Sequence, residues 1–206
     1  MQAIENKIIS RIYGRGKGCV VSPVDFFDLG TAESVRKALS RLEQSGKLRR
    51  VLRGVYDFPK FSNLLNKQLS PDVDAVALAL ARKFNWKISP TGDTALNLLG
   101  LSTQVPGRFV YLSNAPSRSY ELGNQVLEFK KTTLKEIGFK HHESELLVQA
   151  LKSLGKDRID DHLIAKLSKK YKPVTCRKIL KDTQMARVWV YETIKKICHE
   201  VCQGEC

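Results

Sequence analysis

The sequence predicts an α+β fold in two parts, and three observations carry that expectation. Over residues 32–45, Val35, Ala38, Leu39 and Leu42 recur at i, i+3, i+4 and i+7, the stripe of a helix packed on one side, while the remaining positions are polar. Just beyond, residues 47–51 and 55–58 flank a Leu52-Arg53-Gly54 turn, the pattern of a short basic hairpin. The third observation is a change of character over residues 61–71, where polar residues and turn formers replace periodic apolar ones. Helix, short helix, turn, helix and hairpin is the winged helix-turn-helix order, expected here over residues 1–60. A linker over 61–71 and a larger mixed α/β domain over 72–206, ending in helices, complete the expected organisation.

Each element has its own justification. Ile4, Ile8, Ile9 and Ile12 recur at helical spacing, predicting a first helix over 2–13 that ends in the loop containing Gly14, Gly16 and Gly18. That loop lacks the Gly-Lys-Ser/Thr ending of a phosphate-binding loop and follows no strand, so it reads as a basic turn. Cys19-Val20-Val21 suits a small strand beside the hairpin, and Ser22 followed by Pro23 opens a short helix over 24–28. Asp28-Leu29-Gly30 is then the turn, Thr31 the N-cap of the following helix, and Gly46 its C′ residue. In the second part a nearly unbroken apolar run over 73–81 predicts a buried helix from Pro71 or Asp72 to about Phe84. Strands follow at 86–89 and 109–112, a short helix at 93–99, and a hairpin at 119–122 and 125–129 around Gly123-Asn124. Amphipathic or capped helices at 143–154, 157–167, 175–183 and 186–202 finish the chain.

Charge points to the partner. The net charge of +14 implies a polyanion, and both parts are basic, with 12 Lys or Arg against 6 Asp or Glu over 1–60 and 23 against 15 over 61–206. Apolar runs fall far short of the roughly 18 residues of a membrane helix, and the amino terminus lacks a basic-then-apolar signal plan, so no membrane partner and a cytoplasmic location are expected. Five cysteines, an odd number, suit free thiols in a reducing compartment. Cys198, Cys202 and Cys206 share a helical face beside His199, but one continuous helix cannot wrap its own ligands around zinc; no metal and no cofactor are expected.

At 100° per residue the face opposite the apolar stripe of the 32–45 helix carries Glu33, Lys37, Ser40 and Gln44, with Arg36 and Arg41 on its flanks. The hairpin adds Arg49, Arg50 and Arg53. Arg36, Lys37, Ser40, Arg41, Gln44, Arg49, Arg50 and Arg53 are therefore the candidate DNA contacts, since guanidinium, ammonium, hydroxyl and amide groups are what reach phosphates and base edges. Glu33 sits in the first turn, where its charge suits the helix dipole. The same dipole accounts for Asp157, Asp160 and Asp161 beside His162, and Ser89 and Ser102 stand in no nucleophile elbow, so no enzyme is expected. An RNA-binding module is the rival reading, because charge alone does not separate duplex DNA from folded RNA.

Longer motifs add a resemblance. Ser89-Pro90-Thr91-Gly92 and Asn97-Leu98-Leu99-Gly100-Leu101-Ser102-Thr103-Gln104-Val105-Pro106 resemble the AbiEi family of antitoxins. So do Arg11-Ile12-Tyr13-Gly14-Arg15-Gly16, Ala38-Leu39-Ser40-Arg41-Leu42, Arg53-Gly54-Val55-Tyr56-Asp57, Tyr111-Leu112-Ser113, Pro116-Ser117-Arg118 and Leu154-Gly155-Lys156-Asp157-Arg158. The resemblance covers most of the chain but not the tail after about Val190. It implies a winged-helix repressor of its own promoter in a type IV, abortive-infection toxin-antitoxin operon, with a carboxy-terminal domain that neutralises a toxin resembling nucleotidyltransferases. Direct contact with that toxin and self-association on DNA stay open. A toxin-sequestering protein without DNA binding is a further alternative.

Overall fold

Helix α1 (Ile4–Arg15) opens an α+β fold, and its isoleucines do what their spacing requires: Ile8, Ile9 and Ile12 are buried among Phe26, Val35, Leu39, Leu42, Leu48 and Tyr56. In this computed structural model residues 4–102, 107–132 and 138–203 are described. The chain divides into two units, one of residues 1–87 with 119–127 and one of 88–118 with 128–206.

In the first unit, α2 (Ala32–Gln44) turns Val35, Ala38, Leu39 and Leu42 inward and is capped by Thr31, whose hydroxyl accepts the Ser34 N–H at 3.3 Å. Between α1 and α2 the expected short helix at 24–28 is instead a single 3₁₀ turn, Pro23–Phe26. Ser22 and Asp25 form a capping box, the Asp25 carboxylate accepting the Ser22 N–H at 2.8 Å, but the backbone closes i to i+3, Asp25 N–H to the Ser22 carbonyl and Leu29 N–H to the Phe26 carbonyl, and the run ends after one turn. Arg11 grips the far side of this turn, donating from both terminal nitrogens to the Asp28 carboxylate at 2.8 and 2.7 Å, and that hydrogen bonding holds the Asp28 carboxyl below its usual range.

Strands β1 (Val20–Val21), β2 (Arg49–Leu52) and β3 (Val55–Asp57) form an antiparallel sheet in the order β1-β3-β2, with β2 and β3 joined at Arg53-Gly54. Gly54 takes φ 69°, the left-handed conformation a tight hairpin turn needs and a residue with a Cβ resists. The segment 61–71, expected as a linker, carries a second small hairpin, β4 (Phe61–Ser62) with β5 (Lys67–Gln68). Helix α3 (Val73–Phe84), capped by Asp72 and expected to open the second domain, belongs to the first unit. Arg82 fastens it there, with Nε donating to Asp25 Oδ1 at 2.9 Å and Nη2 to the Val20 carbonyl at 3.0 Å. The first unit thus runs to Lys87, well past the expected boundary at 60.

The second unit is built on helices. Residues from α4 (Gly92–Leu98), α5 (His142–Leu154), α6 (Asp161–Ser168), α7 (Pro173–Asp182) and α8 (Val188–Gln203) share one core that includes Leu147, Leu151, Leu167, Ile179, Ile194 and Ile197. The single helix expected over 157–167 is broken into a 3₁₀ turn, Lys156–Arg158, and α6, because Asp160 rather than Asp157 is the N-cap and accepts the Leu163 N–H at 2.7 Å. Strands β6 (Ile88–Pro90), β7 (Arg108–Ser113), β8 (Arg118–Leu122) and β9 (Gln125–Lys131) form a sheet ordered β6-β7-β9-β8, and residues 119–127 of its last hairpin group with the first unit. Helices α4 and α5 pack so closely that a Cβ on Gly92 would lie 2.6 Å from that of Ser153. The Ser89 of the first resemblance motif donates its hydroxyl to buried Glu145, which also accepts from Gln149 Nε2 and the Phe139 N–H, both at 3.0 Å. A buried carboxylate with three donors is a satisfied structural group. Among the described residues no helix is long and apolar enough to cross a membrane.

Candidate nucleic-acid interface

The buried stripe of α2 fixes where its polar side chains stand. Glu33, Lys37, Ser40 and Gln44 lie opposite it, and the first two neutralise one another through an i,i+4 ion pair at 2.7 Å. Arg36 is exposed on one flank and has no acidic partner among the described residues. The other flank faces α1, and there Arg41 donates to Glu5 at 2.8 Å, tying α2 to α1 while two thirds of its side chain stays accessible.

The hairpin divides its three arginines between two jobs. Arg49 lies directly across the sheet from Asp57 and holds it with two hydrogen bonds, Nε to Oδ1 at 3.0 Å and Nη2 to Oδ2. The Asp57 side chain is 2% exposed, so this pair serves the fold: the carboxylate has left water and the guanidinium replaces it. Arg50, one residue on, faces the other way and is exposed opposite Tyr56. Arg53 is exposed at the turn.

A further cation stands at Arg53. Lys83, in the last turn of α3, donates to the Arg53 carbonyl at 2.6 Å, and burial together with the nearby Arg53 charge holds its ammonium below its ordinary pKa. Like charges kept close at a hairpin tip are stabilised by an arriving anion. Lys83 was invisible as a site residue in the sequence because it lies 30 positions from Arg53 in a helix expected to belong elsewhere. Of the eight sequence candidates, the geometry thus leaves Arg36, Lys37, Gln44, Arg50 and Arg53 exposed and Ser40 half-buried on one unit, couples Arg41 to α1 and commits Arg49 to Asp57. A shallow cleft lined by Glu43, Gly46, Arg49, Arg50 and Gln68 runs between the end of α2, the β2–β3 hairpin and the β4–β5 hairpin.

Of the three cysteines near the carboxy terminus, Cys198 is buried beside the Cys176 carbonyl at 3.9 Å, Cys202 is exposed, and Cys206 lies outside the described residues. Burial pushes the Cys198 thiol well above its usual range. Among the described residues no three His, Cys, Asp or Glu side chains are grouped to hold a metal ion.

Together these features define a basic α+β protein whose first unit sets a polar helix face beside a cationic hairpin tip. Residues 7–179 match the Family of unknown function (DUF6088), and the chain belongs to that family. Helix α8 with its cysteines lies beyond the matched residues. No curated protein matches the chain.

Proposed function

We propose that the first unit is a winged helix-turn-helix domain that binds duplex DNA, and that the chain is an antitoxin and autorepressor of its own toxin-antitoxin operon, neutralising a nucleotidyltransferase-like toxin. The observation that carries the DNA reading is the meeting of Arg53 and Lys83 at the hairpin turn, with Arg50 exposed on the same hairpin, in a unit whose helix α2 is polar on its outward face and packed on its inward face. In this reading α2 enters the major groove, and Arg36, Arg50, Arg53 and Lys83 hold the phosphates that fix its register. The antitoxin half rests on the resemblance of motifs between Arg11 and Arg158 to those of the AbiEi family.

Base reading falls to Gln44, which lies opposite the buried stripe at the open end of α2 and has the donor and acceptor needed for a bidentate contact to adenine. Gln44→Ala is expected to weaken binding to the chain's own promoter by about 1 to 3 kcal/mol while leaving affinity for scrambled duplex nearly unchanged. Fluorescence anisotropy with both duplexes measures this. Wild-type preference for promoter in the Gln44 variant would remove the helix from the reading role.

A further inference from the structure

The β4–β5 hairpin has no place in the function just described, yet it is the most exposed apolar feature of the first unit. Leu64 is 93% exposed, Leu65 55% and Phe61 49%. Three such side chains on one short hairpin leave apolar area in water that contact with a partner would bury. The tip is well braced for its length: Phe61 pairs with Gln68 and Ser62 with Lys67, the Ser62 hydroxyl accepts the Leu65 N–H at 3.3 Å, and Asn66 closes the turn in the left-handed conformation at φ 47°. Leu64 and Leu65 are therefore presented by a defined turn.

Its surroundings select the partner. From Phe58 to Pro71 the chain carries Lys60 and Lys67 and no acidic residue, and the leucines sit directly between Asn63 and Asn66. Gln68 lines the same cleft as Arg50, so the two hairpins border one surface of one unit. Apolar side chains flanked by amides and ammonium groups suit the minor groove, where amides meet the base-edge acceptors, lysines meet phosphates, and an apolar wedge parts a base step. A purely apolar protein partner would leave the two lysines and two asparagines without a role.

We infer that the β4–β5 hairpin is a second DNA-contacting arm, inserting Leu64 and Leu65 into the minor groove and bending the duplex. This rests on the DNA-binding reading of the first unit. The hairpin anchors through Lys67 and Gln68, the leucines unstack a base step, and the resulting bend brings more phosphate within reach of Arg50 and Arg53.

The test uses the full chain with promoter and scrambled duplexes, donor and acceptor dyes on the duplex ends, and 2-aminopurine at successive steps. Wild type is expected to shorten the end-to-end distance and brighten one 2-aminopurine position. Leu64→Ser with Leu65→Ser should abolish both signals and weaken binding about tenfold, with an unchanged melting temperature because neither side chain is buried. Leu64→Ser alone, at the more exposed position, should lose the brightening. Lys67→Ala should lower the slope of log affinity against log salt by about 0.9. Binding by wild type with a straight, fully stacked duplex would overturn the wedge and leave the DNA reading standing. Sedimentation that shifts to a smaller species in the double variant, with bending intact, would overturn it in favour of self-association. Failure of wild type to bind either duplex would overturn both readings.

Discussion

Replacing Arg36, Arg50 and Arg53 together with alanine is expected to lower the slope of log affinity against log salt by about 2.7, on promoter and scrambled duplex alike. Each arginine is exposed and none has an acidic partner among the described residues, so each is available to release counterions from one phosphate. Near 0.1 M salt the affinity should fall roughly 500-fold, because the three lost terms multiply. Stability should change by less than about 0.5 kcal/mol, as for surface positions without packing or pairing roles. Anisotropy titrations across a salt series measure the slope and thermal melting gives the control. An unchanged slope in a folded triple variant would mean that the basic surface of this unit faces something other than nucleic acid.

Arg49→Ala is expected to do the opposite, costing about 3 kcal/mol of stability, because it strands the Asp57 carboxylate, 2% exposed, without its bidentate partner. The double change Arg49→Ala with Asp57→Ala should recover part of that loss, since the unpaired charge is then gone too. Chemical denaturation of the three variants against Arg50→Ala separates the cases. Equal stability of the Arg49 and Arg50 variants would contradict the division of the hairpin's arginines into one that holds the fold and two that face solvent.

How far these roles were legible in the sequence depends on whether the governing contact is local. The α2 stripe, Thr31 as cap and the turn at Arg53-Gly54 follow from i, i+3 and i+4 spacing and from turn chemistry, and they stand as expected. The opposition of Arg49 and Asp57 was available once the turn was set, by counting back along the two strands. By contrast, the tie between Arg41 and Glu5 spans 36 positions and that between Arg82 and Asp25 spans 57, and periodicity carries no information at such range. The grouping of α3 with the first unit is hidden for the same reason: Val76, Ala77 and Leu80 announce a buried helix face but not which core it meets. The β4–β5 hairpin reads as linker from sequence because its asparagines and prolines are turn formers, and a four-residue turn between two-residue strands uses the same composition. Composition also hid the wedge, since an exposed leucine pair is conspicuous only when burial is known.

The first unit is proposed to read duplex DNA at the chain's own promoter. The most direct measurement is the affinity of the full wild-type chain, at one matched salt concentration, for its promoter duplex, a scrambled duplex and a folded RNA of equal length. Promoter binding is expected to be about a thousandfold tighter than binding to scrambled duplex, with the RNA no better than scrambled DNA. Equal affinity for promoter and scrambled duplex, or tighter binding to the RNA, would contradict it.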